Sequence, residues 1–120
     1  MKNVVKQFPV YKSLDVEGSH EHKLWWLDIE KLPGGKYQIV TYAQLFVFKD
    51  NVVQGLEVRR YECGAPISHL GNAESSAHNR IARKTSIAKG YSHFMDRLGD
   101  GFEFDINIAK AFLNKYAGLH

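Results

Sequence analysis

A single cysteine, Cys63, stands in the chain, so an internal disulfide framework is excluded and a reducing compartment is the simple expectation. Nowhere do about eighteen apolar residues run together, so no membrane-spanning segment is expected. The opening Met1-Lys-Asn-Val-Val-Lys-Gln-Phe-Pro-Val10 lacks the apolar run of a secretory signal, and a cytoplasmic location follows as the expectation. The signatures of common chemistries are missing too. There is no Gly-x-Ser-x-Gly elbow, no glycine-rich phosphate loop and no paired-acid motif, so a non-catalytic protein is expected. Neither Cys-x-x-Cys nor His-Glu-x-x-His spacing occurs, and no metal or other cofactor is expected. His20-Glu21-His22 sets two imidazoles on one side of an extended chain, with Cys63, His69 or His78 as third partners for a metal. Solvated loop histidines are the default reading of that pair. Cys63 with His69 nearby can be written as nucleophile and base, but closeness in sequence is not closeness in space, and a buried or free thiol is the plainer reading.

What is present is the material of one folded domain spanning 1–120, with 44% hydrophobic and 24% charged residues. Its centre is Lys23 to Phe48. Leu24 and Trp26 alternate with Trp25, Leu27 and Ile29, both sets mainly apolar, which predicts a central strand covered on both faces. Pro33-Gly34-Gly35 supplies the restricted and then the positive φ that reverse a chain. Tyr37, Ile39 and Thr41 alternate with Gln38, Val40 and Tyr42 in the returning strand.

Around this hairpin the order of elements is legible. Pro9 interrupts Val4 to Leu14, so a strand there lies at an edge or begins after the proline. Asp15 to Lys23 reads as a loop. Lys49-Asp50-Asn51 is a turn and Val52-Val53 opens a return strand, with Gly55 as a bulge or bend before the alternation of Leu56 to Tyr61. Cys63 to Asn72, with scattered glycine and proline, reads as a connecting loop. Asn72 or Ser75 would cap a helix running to about Lys89, stopped by Gly90. A short helix over Ser92–Leu98 and a last one from Asp105 to Gly118 complete the expectation. Strands first and helices afterwards predict an α+β domain: an antiparallel sheet of about four to five strands, a helix packed on it and a C-terminal helical extension.

Lysine and arginine number 16 against 13 acidic residues, a mild basic excess of +3. Its placement matters more than its size. Asn79 to Lys89 carries Arg80, Arg83, Lys84 and Lys89 without one acidic residue. Such a run is either a solvated outer face or a surface that tracks phosphates.

The landmark order resembles the WGR domain, a small module named for a Trp-Gly-Arg tripeptide. Lys23-Leu-Trp25-Trp26-Leu-Asp-Ile29 is similar to its first strand, Gly34-Gly35-Lys-Tyr37-Gln-Ile39-Val40 to its turn and second strand, and Ala82-Arg83-Lys84 through Lys89-Gly90-Tyr91 to its helix end. The match runs over residues 8–92, leaving 93–120 as the extension. The tripeptide's place falls on Tyr42-Ala43-Gln44, so each signature identity has changed. The resemblance implies a nucleic-acid contact module that grips the backbone of DNA, expected to be double-stranded, or of RNA. Tyr42 would then stack on a sugar or base, Gln44 would donate to a phosphate oxygen, and Arg80, Arg83, Lys84 and Lys89 would bring the charge. The alternative is a small protein-interaction or inhibitory factor that keeps the scaffold and has lost nucleic-acid binding, with a protein as its partner.

Overall fold

The computed structural model describes residues 3–13, 21–49, 52–55 and 58–97. Among these residues seven strands and one helix follow in the order β1 (Val4–Gln7), β2 (Val10–Lys12), β3 (Glu21–Lys31), β4 (Tyr37–Lys49), β5 (Val52–Gly55), β6 (Arg59–Ile67), α1 (Leu70–Lys84) and β7 (Ser92–Met95). All strand pairs are antiparallel. The seven strands fill only five positions across the sheet, because β1 and β2 share one edge of β3, and β5 and β6 share one edge of β4. This is the α+β sheet with a packed helix that the sequence predicts.

The organising hairpin is β3–β4, paired without a slip from Glu21↔Val47 to Lys31↔Tyr37. Its turn is tight: the Gly35 amide bonds to the Leu32 carbonyl at 2.9 Å and the Leu32 amide to the Lys36 carbonyl at 2.7 Å. Gly35 takes φ +83°, the left-handed conformation that completes a three-residue loop after Pro33-Gly34 and that a side chain would oppose.

Alternation along β3 sends Trp25, Leu27 and Ile29 to the face under the helix, where they form a core with Phe8, Ile39, Ala73 and Ala77. The opposite, far face holds Leu24, Trp26, Val40, Tyr42 and Phe46, all buried. Both faces of β3 are closed, as the double apolar alternation predicts. The far face is also polar in part. Asp28 is buried and receives both guanidinium nitrogens of Arg97, the second at 3.4 Å. Glu30 accepts from the Tyr42 hydroxyl at 3.2 Å and from Arg60 at 2.8 Å.

Pro9 lies in no strand: β1 ends before it and β2 begins after it at Val10, as the sequence predicts. Three expectations need correction. Cys63 to Ile67 is strand, not loop. Glycine and proline are tolerated because β6 bulges against β4 between its pairings to Tyr37 and Ile39, where Gly64 adopts φ +71°. The buried Gln38 amide secures that bulge, reaching the Cys63 and Gly64 carbonyls at 3.2 Å each. The helix begins at Leu70 with His69 as its cap residue, so Asn72 and Ser75 lie inside it, and it ends at Lys84 rather than Lys89. There Thr85 and Ser86 turn their hydroxyls onto the Ile81 and Arg83 carbonyls at 2.9 and 2.7 Å, competing with the helical ladder. Ser92–Met95 is a strand, its partners Val10 to Lys12 outweighing its local helical pattern. The expected helix from Asp105 to Gly118 lies outside the described residues.

Removing Arg97 from the Asp28–Arg97 pair takes a guanidinium away from a buried carboxylate. Arg97→Met is therefore expected to lower the unfolding free energy by about 3–5 kcal/mol in urea titrations. A loss below ~1 kcal/mol would show that the carboxylate is not held as the geometry indicates.

Candidate nucleic-acid interface

The helix meets the sheet through its smallest residues. Leu70, Ala73, Ala77 and Ile81 make the contact stripe, and Ala73 and Ala77 are fully buried. One turn on, the same stripe becomes Arg80 and Lys84. The face that is apolar at the helix's start is cationic at its end.

Arg80, Arg83, Lys84 and Lys89 line one cleft of about 410 Å³ with Trp25, Thr41, Ala43, Tyr61 and Cys63. A second cleft of about 510 Å³ adjoins it, sharing Ala43 and Tyr61 and adding Lys23, Arg59 and Tyr91. Ala43 and Thr41 are the low floor between the larger Trp25 and Tyr61, and Tyr61 stands beside them at 55% exposure. The two clefts together make one groove across the helix face of the sheet.

The groove is cationic without compensation. Among the described residues no ion pair engages Arg80, Arg83, Lys84, Lys89, Lys23 or Arg59. Arg80 lies against the β6 bulge, its Nη2 4.0 Å from where a Gly64 Cβ would stand. The Lys84 ammonium sits over two rings, 5.5 Å from the centre of Trp25 and 4.8 Å from that of Tyr91. Its pKa is held below the ordinary lysine value, first by burial and then by Lys89 and Lys23. Tyr91 is fixed by a backbone bond from its amide to the Lys84 carbonyl at 3.1 Å, after Gly90 at φ +73°. Burial pushes its phenol up, so the ring stays neutral.

The structure thus brings together the cations expected from the sequence, but not Tyr42. That residue is 5% exposed on the far face, stacked on Trp26 at 5.5 Å and bonded to Glu30. The reason is parity. Tyr42 pairs with Trp26 and Ala43 with Trp25, so the two neighbours on β4 point to opposite faces, and only Ala43 reaches the groove floor. Gln44 shares the parity of Tyr42; it is half-buried and borders the second cleft. The exposed aromatic is Tyr61 instead. Sequence reasoning misses it, together with Arg59 and Lys23, though a lone tyrosine facing Thr41 across an edge strand is the available signal.

The remaining candidates are dispersed. Cys63 lines the groove, His69 precedes the helix and His78 packs edge-on against Phe8 at 5.3 Å. Among the described residues no three metal-binding side chains gather; His20 and the side chains of Glu21 and His22 lie outside them. No described helix is long and apolar enough to cross a membrane. Comparison with family models, with curated proteins and with solved structures gave no match.

Because the Lys84 pKa is lower folded than unfolded, the unfolded chain binds more protons between the two values, and stability rises with pH across that window. Lys89→Gln removes one of the repelling charges. It is expected to move the Lys84 side-chain titration, followed by carbon-detected NMR, toward the ordinary lysine value and to flatten that rise. An unchanged titration would mean that the two ammonium groups do not sense each other.

Proposed function

We propose that the protein is a non-catalytic nucleic-acid-binding module, similar in plan to a WGR domain, that holds the sugar-phosphate backbone of DNA or RNA in this groove. The single observation that carries the reading is the convergence of Arg80, Arg83, Lys84 and Lys89 on one cleft, with no acidic partner among the described residues. Cations held near one another cost free energy unless an anion joins them, and a polyphosphate supplies repeating charge at the spacing of a chain. The aromatic contribution comes from Tyr61 rather than from the position equivalent to the family's tryptophan. Cationic side chains outnumber hydroxyl and amide side chains in the groove lining, which favours backbone contact over base reading.

A protein partner is the second reading. The observation in its favour is the outer edge of β6, which pairs with β4 alone among the described residues and so leaves strand hydrogen-bonding groups open.

Fluorescence anisotropy with labelled oligonucleotides at about 50 and 200 mM salt tests the proposal. Binding is expected at the lower salt and is expected to weaken steeply at the higher. Arg80→Ala with Arg83→Ala should reduce the slope of log affinity against log salt by about 0.7–0.9 for each phosphate that is no longer neutralised. Absence of binding at low salt, or a slope indifferent to the double substitution, overturns it. A partner that co-purifies equally after nuclease treatment would favour the protein reading.

A further inference from the structure

The two clefts do more than add charge: they place it on both sides of one exposed ring. Arg80, Arg83, Lys84 and Lys89 lie in the first cleft, Lys23 and Arg59 in the second, and Tyr61 with Ala43 belongs to both. The Tyr61 ring makes no hydrogen bond or ring contact with another side chain among the described residues. Thr41 lies directly across the strand pair from Tyr61, and the small Ala43 lies across from Arg59, two residues away on the same strand.

We propose that the groove takes a single strand of nucleic acid, with one unpaired base stacked on Tyr61 and the phosphates on either side of that base held by the two cationic clefts. The inference rests on the nucleic-acid reading of the site and adds the substrate class. In a duplex each interior base has its faces covered by its neighbours and its edge by its partner, so only the outer face of a terminal pair could lie on a side-chain ring. A phosphate-tracking surface for intact duplex needs cations alone. This groove interposes an aromatic platform between two cation sets, the combination that single-strand binders use. The floor of Thr41 and Ala43 offers the depth that a splayed base needs and lacks long side chains to exclude it. Stacking is indifferent to base identity, so the site is expected to accept DNA and RNA strands of mixed sequence.

The test uses the full chain and three labelled probes of about 12 nucleotides or base pairs, a length near that of one single-strand site: oligothymidine, oligouridine and a mixed-sequence DNA duplex. The expected result is tighter binding to one or both single strands than to the duplex at equal salt. Tyr61→Ala should weaken single-strand binding about 5- to 150-fold, the range for removing one base–aromatic stack. Tyr61→Phe should retain it, and duplex affinity should not change with either. Bound single strand should also slow alkylation of Cys63, which lines the first cleft. Duplex binding equal to or tighter than single-strand binding, or single-strand affinity unmoved by Tyr61→Ala, overturns the inference while leaving the backbone-binding reading intact. Failure of all three probes to bind at low salt removes both.

Discussion

The unbroken register between β3 and β4 is the constraint on which the rest of this structure depends. Each rung assigns one pair of side chains to the helix face and the next to the far face, from Glu21↔Val47 to Lys31↔Tyr37. A slip of one residue would exchange the two sets completely. Such a slip is opposed from both sides. It would bring Asp28 and Glu30 beneath Ala73 and Ala77, and it would break the Trp26–Tyr42 stack and the contacts of Glu30 with Tyr42 and Arg60. Charged groups buried on only one face of a strand are therefore a register lock, independent of what they contribute to stability.

The groove follows from a mismatch of lengths. β4 has 13 residues and α1 has 15. At roughly 3.3 Å and 1.5 Å per residue they extend about 43 Å and 22 Å, so one helix cannot cover the strand it crosses. Alanines set the close end of the contact, where Ala73 and Ala77 meet Leu27, Ile29 and Ile39. At the other end Arg80 and Lys84 occupy the stripe, too long and too polar to seal the sheet. Lys84 lays its charge over Trp25 and Tyr91 and so covers apolar surface without closing it. Basic residues at a helix C-terminus also suit the negative end of its dipole, which lets cations accumulate here at less cost than elsewhere on the helix.

Much of this is written locally in the sequence. The hairpin is legible because Pro33-Gly34-Gly35 and the two-sided alternation of Leu24 to Ile29 point to the same geometry. What is not legible depends on partners distant in the chain. Ser92–Met95 becomes a strand because Val10 to Lys12 offers an edge, and Gly64-Ala-Pro66 remains in a strand because Gln38 holds the bulge. The cationic run is visible as composition, yet its convergence depends on where the helix stops. Ile87 is fully exposed beyond the helix end at Lys84. Tyr42 has only its motif position to place it in the site. Alternation alone can separate it from Ala43, but only the core shared by Trp25, Leu27 and the helix alanines tells which face the cations share.

Parity also decides what the neighbours Tyr42, Ala43 and Gln44 do. Tyr42 and Gln44 share the far-face parity, although Gln44 still borders the second cleft, and the member of that trio on the groove floor is the smallest. A large residue at position 43 would fill the floor between Trp25 and Tyr61, so a small side chain there is what keeps the groove open. Tyr42, in turn, is needed where it lies, because its ring completes the stack on Trp26 and its hydroxyl satisfies the buried Glu30. The trio thus divides between two duties, a buried support on one face and a vacant floor on the other. On the nucleic-acid reading, recognition then passes from β4 to the neighbouring edge strand, where Arg59 and Tyr61 flank Arg60, whose side chain is tied back to Glu30. An edge strand is the position from which such a transfer is geometrically easiest, since its side chains border solvent while its backbone stays anchored along one side.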